Sequence, residues 1–113
     1  MCMNISKEDL IRINHGFGGD LRSDTIIEYA LDVQKDNKLG IYKKLAYLLR
    51  AILVDHPFSD GNKRTAMFLC LSFAEENHKQ VDRELLLEQI ISIAKNNLTE
   101  IRNIGWRMKN CIK

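Results

Sequence analysis

The sequence contains very few of the residues that interrupt helices. Only one proline and six glycines occur among its 113 residues. Proline breaks a helix interior and glycine weakens it, so this scarcity favours long uninterrupted helices. A chain of this length is close to the common size of one domain. We therefore expect a single helical domain over residues 1–113.

Paired cysteines, long apolar runs and an excess of one charge are also lacking. The three cysteines, Cys2, Cys70 and Cys111, have no metal-ligand spacing, and an odd number cannot form a closed disulfide set. No apolar run approaches the roughly 18 residues of a membrane span, and no signal peptide is visible. The net charge of +2 is small and spread along the sequence, which gives no electrostatic case for binding nucleic acid. We expect a cytoplasmic protein that binds neither nucleic acid nor a membrane.

Six segments have the apolar periodicity or capping residues of helices. They are a segment that begins at Ser6, a second that begins at Ser23 or Asp24, and segments at about 41–54, 62–77, 83–95 and 99–111. The third and fourth segments are apolar on nearly all sides, which is typical of helices in the centre of a fold. The sequence therefore predicts an all-α bundle of about six helices, in which the two most buried helices are consecutive.

The connection between these two helices is dense in polar and ionisable side chains. Such groups are costly to desolvate beside core helices, so their concentration indicates a functional site. Histidine is the commonest general base in proteins, so His56 can take a proton from an attacking hydroxyl. Asp60 can hold Mg²⁺ that bridges phosphates, since Mg²⁺ prefers one or two carboxylates together with substrate oxygens. A structural interpretation of Asp60, as a helix N-cap, also remains open.

The helix that begins at Gly61 predicts an anion site. Its first N–H groups have no partner within the helix, and glycine lets a ligand approach the main chain closely. Asn62, Lys63 and Arg64 add donors in the first turn. The helix dipole disfavours two positive charges at this end of a helix. Their presence is therefore best explained by a polyanion that binds there.

The nine residues from His56 to Arg64 read His-Pro-Phe-Ser-Asp-Gly-Asn-Lys-Arg. This segment resembles the signature of the Fic/Doc (Fido) superfamily, His-Pro-Phe-x-Asp/Glu-Gly/Ala-Asn-Gly/Lys-Arg, at nearly every specified position. A helical chain of this length, with the motif between two apolar helices, is also similar to short Doc-like members over most of its span. The resemblance implies a Fido-type helical bundle that uses ATP and Mg²⁺.

The resemblance also implies a role for each residue of the motif. His56 would be the catalytic base toward a hydroxyl of a target protein, and Asp60 would bind Mg²⁺. The residues that would contact the nucleotide phosphates are Gly61, Asn62, Lys63 and Arg64.

Two departures from the Fic pattern bear on which group is transferred. Fic-type enzymes typically transfer AMP and have a second arginine where this sequence has Met67. Lys63 replaces the second glycine of the Fic pattern. Both departures resemble Doc, a toxin of a toxin–antitoxin pair that phosphorylates translation elongation factor Tu, whereas Pro57 and Gly61 are closer to Fic. The resemblance favours a kinase and leaves AMP transfer as the alternative.

Protein partners follow from the same resemblance. The target would present an acceptor Ser, Thr or Tyr. Residues 72–77 match the family's autoinhibitory string, but they lie on the motif's own helix, away from the phosphate end. We therefore expect no internal inhibitor and control by an antitoxin. The polar stretch 35–40 is either a plain connection or the flap with which family members align their target.

Two further classes of function compete with group transfer. A Fido domain that serves only as a binding module is disfavoured by the intact His56 and Asp60. A metal hydrolase is disfavoured because His15, His56 and His78 lack the paired spacing of a zinc-binding helix.

Overall fold

Six α-helices make up the fold in the computed structural model, which describes residues 5–113. In chain order they are α1 Lys7–Gly16, α2 Asp24–Val33, α3 Ile41–Leu53, α4 Asn62–Glu76, α5 Arg83–Lys95 and α6 Ile101–Cys111. The prediction of an all-α bundle of about six helices is confirmed. In the part of the chain that is described, no helix has the length and apolarity that a membrane crossing requires. Cys2 lies outside this part.

Helix α1 begins where its cap predicts. Ser6 Oγ accepts a hydrogen bond from the Asp9 N–H at 3.1 Å, and Asp9 Oδ2 accepts one from the Ser6 N–H at 3.1 Å. This reciprocal capping box satisfies donors that the first turn of a helix leaves free. The bond from the Ser6 main chain also lowers the pKa of the Asp9 carboxyl group.

Helix α3 forms the centre of the bundle. It packs against α2, α4, α5 and α6, and eight of its 13 residues are buried. Helix α4 is less enclosed, because its Phe68 side chain is 44% exposed and lies edge-on to the ring of Phe17. The apolar sequences of α3 and α4 predict that the other helices cover both. This prediction is wrong for α4, on which Lys63, Arg64 and Phe68 are exposed, whereas Lys43 is the only exposed residue of α3.

The connection between α2 and α3 consists of turns and contains no extended segment. The Leu39 N–H donates to the Asp36 carbonyl at 3.3 Å, and the Lys38 N–H donates to Asp36 Oδ1 at 2.9 Å. None of residues 35–40 lines the pocket that contains His56. Of the two interpretations of this stretch, the plain connection fits the structure.

Helices α4 and α5 each end at a non-glycine residue in the left-handed region. His78 follows α4 with φ of +56°, and Asn97 follows α5 with φ of +48°. After α4 the Lys79 N–H donates to the Ala74 carbonyl at 2.8 Å, which closes a Schellman motif. Glycine is preferred at such a position because it has no Cβ, and asparagine tolerates it better than most other residues.

Replacing His78 by glycine is expected to raise the free energy of unfolding by about 0.5–1 kcal/mol. The left-handed penalty of roughly 1–2 kcal/mol that His78 incurs outweighs the extra entropy that glycine gives the unfolded chain. Urea unfolding of both proteins measures the difference. Asn97→Gly is the matched control and should gain less; an equal or larger gain there would contradict this explanation.

Candidate active site

The loop between α3 and α4 brings the predicted site residues to one pocket. The pocket has a volume of about 360 Å³, which lies within the range of small-ligand sites. Its lining contains all six predicted residues, namely His56, Asp60, Gly61, Asn62, Lys63 and Arg64. It also contains four residues that the sequence did not predict, namely Phe17, Leu53, Ser59 and Ala94.

His56 combines an exposed side chain with an uncommon main-chain conformation. Its φ of +49° lies in the left-handed region, at a cost on the order of 1–2 kcal/mol for a residue other than glycine. Within residues 5–113 the imidazole makes no hydrogen bond. Both ring nitrogens are therefore available to a substrate, and the strained main chain is of the kind found at functional sites.

A short segment before α2 runs alongside the motif loop and holds its main chain. The Pro57 carbonyl accepts hydrogen bonds from the N–H groups of Arg22 at 2.7 Å and Ser23 at 3.2 Å. The Ser59 N–H donates to the Asp20 carbonyl at 2.8 Å, and the Asp20 N–H donates to Ser59 Oγ at 3.0 Å. These four bonds fix the loop at two points, because main-chain groups paired in this way cannot shift independently.

Phe58 anchors the same loop in the core. Its side chain is 1% exposed, and its main chain forms an antiparallel bridge with Leu21. Burial of a phenyl ring contributes roughly 1.5–3 kcal/mol to stability. The Phe58 carbonyl accepts a hydrogen bond from Asn62 Nδ2 at 3.0 Å, which ties the loop to the first turn of α4. The buried Oδ1 atom of Asn62 has no hydrogen-bond partner in the described part of the chain.

Asn14, in the last turn of α1, joins the motif loop to α4 through its buried side chain. The residue is 0% exposed. Its Nδ2 donates to the Asp60 carbonyl at 2.8 Å and to Thr65 Oγ1 at 3.1 Å. Since both acceptors flank the start of α4, Asn14 sets the position of Asp60 relative to that helix. Asn14 is a positioning residue that the sequence did not predict.

Gly19 lies directly against this junction. Its N–H donates to the Asn14 carbonyl at 3.2 Å. A Cβ at Gly19 would overlap the carbonyl oxygen of Asp60 and the Oδ1 atom of Asn14, whereas one at Gly16 would meet nothing within 4 Å. The close approach of the two main chains therefore requires glycine at position 19.

The N-terminus of α4 is uncapped and positively charged. Its N-cap residue is Gly61, with φ of +72°, and the first turn contains no acidic residue. The side chains of Lys63 and Arg64 are exposed, and neither forms an ion pair within residues 5–113. Cations at this end of a helix are unfavourable unless an anion is bound, and the free N–H groups are suited to bind one.

Asp60 fits a Mg²⁺ ion that arrives with phosphates. Its Oδ1 accepts a hydrogen bond from the Gly61 N–H at 2.7 Å, and its other carboxylate oxygen has no hydrogen-bond partner in the described residues. Among those residues, no group of three or more His, Cys, Asp or Glu side chains could hold a metal alone. A single carboxylate suits Mg²⁺, which usually keeps waters and phosphate oxygens as its other ligands.

The rest of α4 lies away from the pocket. The residue one turn after Arg64 is Met67, which carries no charge and is partly buried against the core. Residues 72–77 occupy the far half of the helix and do not line the pocket. Ser72 lies about 15 Å along the axis from Asn62, because each helical residue rises 1.5 Å. The structure thus keeps the string that matches the autoinhibitory motif far from the start of α4.

Replacing Asn14 by alanine is expected to lower the free energy of unfolding by about 2–4 kcal/mol. The change leaves the Asp60 carbonyl and the Thr65 hydroxyl without their donor and also opens a small cavity. Urea unfolding measures the loss. The control is Asn110→Ala, since Asn110 is exposed on α6 and should change stability by less than about 0.5 kcal/mol. Equal effects at the two positions would contradict a positioning role for Asn14.

Comparison with known proteins adds one match. Searches of the curated proteins and of the solved structures found no match. The sequence profile of the Fic/DOC family matches residues 5–74, which is more than half of the chain. The match extends from α1 through the motif loop and over most of α4. The chain belongs to the Fic/DOC family.

Proposed function

We propose that this protein is a Doc-like toxin that transfers the γ-phosphate of ATP to a hydroxyl side chain of a target protein. Members of the family generally transfer nucleotide-derived groups to proteins. The observation that supports the proposal most is the convergence of His56, Asp60 and the uncapped start of α4 on one pocket. A base, a carboxylate and an anion site are the groups that ATP-dependent modification of a hydroxyl requires.

The phosphates of ATP would lie at the start of α4. The N–H groups of Asn62, Lys63 and Arg64 have no partner within the helix, and two of these side chains add positive charge. Asp60 would hold Mg²⁺, which when bound neutralises part of the phosphate charge. Phosphoryl transfer depends mainly on positioning and charge stabilisation, and the rigid junction around Asn14 provides the positioning.

His56 would accept the proton of the target hydroxyl. Its imidazole is exposed and has no hydrogen bond to any other described residue, so a Ser, Thr or Tyr of a second protein can reach it. A positioned base of this kind contributes roughly 10²–10⁴-fold to a rate.

Transfer of phosphate is favoured over transfer of AMP by the residue one turn after Arg64. A second arginine there would hold the terminal phosphates in the orientation that exposes the α-phosphate. This chain has Met67, which packs toward the core. Lys63 beside Arg64 can instead steady a nucleotide that presents its γ-phosphate. AMP transfer is the alternative function, and a catalytically inactive domain that only binds a partner is a third.

The partners of the proposed toxin are a target protein and an antitoxin. The family resemblance makes translation elongation factor Tu the first target to test. Residues 72–77 lie far from the pocket, so control by a separate antitoxin fits better than internal inhibition.

The proposal is tested by supplying elongation factor Tu, or a lysate, with ATP labelled at either the α- or the γ-phosphate in the presence of Mg²⁺. We expect protein label from γ only, and none with the His56→Asn variant. Label from α only would establish AMP transfer. Met67→Arg sharpens the comparison, because it restores the missing arginine and should shift label toward α. The absence of His56-dependent label with either nucleotide would count against both transfer reactions.

A further inference from the structure

A second groove lies at the opposite end of α3 from the active site. Its volume is about 470 Å³, and it is formed by the start of α3 and one face of α6. Its lining residues include Ile41, Lys43, Arg102, Gly105, Trp106 and Lys109. His56 follows the last turn of this 13-residue helix. The rise of 1.5 Å per residue separates the two sites by roughly 20 Å.

The groove combines an exposed aromatic surface with positive charge. Trp106 is 63% exposed, although a large aromatic side chain is usually buried or part of a binding surface. Lys43, Arg102 and Lys109 are exposed beside it, and the lining contains no acidic residue. Within residues 5–113 none of these three cations forms an ion pair.

Folding brings together in this groove positive charges that lie far apart in the sequence. Lys43 comes from α3, whereas Arg102 and Lys109 come from α6. Their three positive charges exceed the net charge of +2 of the whole chain, so the rest of the molecule is slightly negative. Lys109 Nζ also lies 5.7 Å from the centre of the Tyr42 ring, and Lys79 Nζ lies 5.9 Å from it. The groove is therefore a positively charged surface separate from the one at the start of α4.

We propose that the groove docks an acidic segment of a partner protein. An apolar side chain of that segment packs against Trp106, and its carboxylates contact Lys43, Arg102 and Lys109. Charge complementarity of this kind supplies specificity and a fast approach, and the tryptophan supplies the buried anchor. This surface is separate from the proposed transfer site, so the proposal stands whichever group the active site transfers.

Other occupants fit the groove less well. Three cations on an apolar floor are fewer than the six to ten phosphate contacts typical of nucleic-acid binding. Two copies whose two-fold axis passes through the groove would set its positive charges against each other. A second copy that offers its exposed α5 residues Leu87, Glu88 and Ile91 to the groove is a different occupant, and measurement of self-association distinguishes it.

Trp106 is the only tryptophan in the chain, so its fluorescence reports on the groove alone. The probe is a blocked 12-residue peptide without Trp or Tyr, with two central leucines flanked by glutamates. We expect a saturable blue shift of the emission that weakens as NaCl rises from 50 to 300 mM. A peptide with lysine in place of glutamate, and one with serine in place of leucine, should bind at least tenfold more weakly.

Lys109→Glu and Arg102→Glu should each weaken binding at least tenfold. Lys95→Glu is the matched control, because Lys95 is an exposed lysine on α5 outside the groove and its reversal changes the net charge equally. We expect less than a twofold effect there, with circular dichroism confirming that all variants fold. Equal loss with all three variants, or no spectral shift with the acidic peptide, overturns the proposal. The proposal is also overturned if only an RNA oligonucleotide shifts the Trp106 emission, or if sedimentation shows that self-association of the protein causes the shift.

Discussion

Replacing His56 by asparagine is expected to lower the rate of group transfer by about 10²–10⁴-fold while leaving stability nearly unchanged. The variant loses the base that accepts the proton of the target hydroxyl. Asparagine tolerates the left-handed conformation that His56 adopts, with φ of +49°, better than alanine does. The loss should therefore appear in initial rates at saturating ATP and target, and the unfolding midpoint in urea should stay the same.

His15→Asn is the matched control for this loss. His15 is also an exposed histidine, but it lies outside the pocket, where its Nδ1 is 3.8 Å from Asp20 Oδ1. Its replacement should change the rate by less than twofold. The proposed role of His56 would be refuted if His56→Asn kept a tenth or more of the wild-type rate, or if both histidine variants lost it equally.

Replacing Gly19 by alanine is expected to lower the free energy of unfolding by about 2–4 kcal/mol and to impair nucleotide binding as well. The added Cβ would overlap the Asp60 carbonyl and the Asn14 amide, so the junction must separate and lose its hydrogen bonds. Urea unfolding measures the first effect. Binding of Mg²⁺ and an ATP analogue, measured calorimetrically well below the unfolding midpoint, measures the second.

Gly16→Ala separates this steric effect from the general effect of removing a glycine. Gly16 ends α1, and a Cβ there would meet nothing within 4 Å. Alanine at that position should be neutral or slightly stabilising, since it reduces the entropy of the unfolded chain. Comparable destabilisation by both substitutions would show that the overlap at Gly19 is not the cause.

The sequence was sufficient to predict the helices and six of the ten residues that line the pocket. Scarce glycine and proline, capping at Ser6 and apolar periodicity are local signals, and local signals determine where helices begin and end. The residues from His56 to Arg64 also lie close together in sequence, so a single loop and helix start bring them to one pocket. These predictions needed no knowledge of how distant segments pack.

The junction that supports the pocket could not be predicted in the same way. Asn14 donates to the carbonyl of Asp60, which is 46 residues further along the chain. A partial signal existed, because Asn14 follows Leu10 by four residues and so lies on the buried face of α1. A polar residue on such a face needs a buried partner. Which partner it finds depends on how α1 packs against α4, and periodicity does not determine that.

The exposed state of Trp106 is a second limit of sequence-based prediction. A tryptophan on an amphipathic helix is compatible with a position in the core or at the surface, so the sequence does not determine which one Trp106 occupies. Only the packing of α6 against α3 turns it outward, beside Lys43 of the other helix. The sequence also does not show that folding places Lys43 of α3 next to the basic residues of α6.

The proposed function requires the start of α4 to bind nucleotide phosphates, and amide chemical shifts test this binding most directly. The uniformly ¹⁵N-labelled protein is titrated with Mg²⁺ and a non-hydrolysable ATP analogue. We expect the largest shifts at the amides of Gly61, Asn62, Lys63 and Arg64, with little change at the Trp106 indole. Saturable shifts centred on another surface, or no shifts at millimolar analogue, would contradict the account.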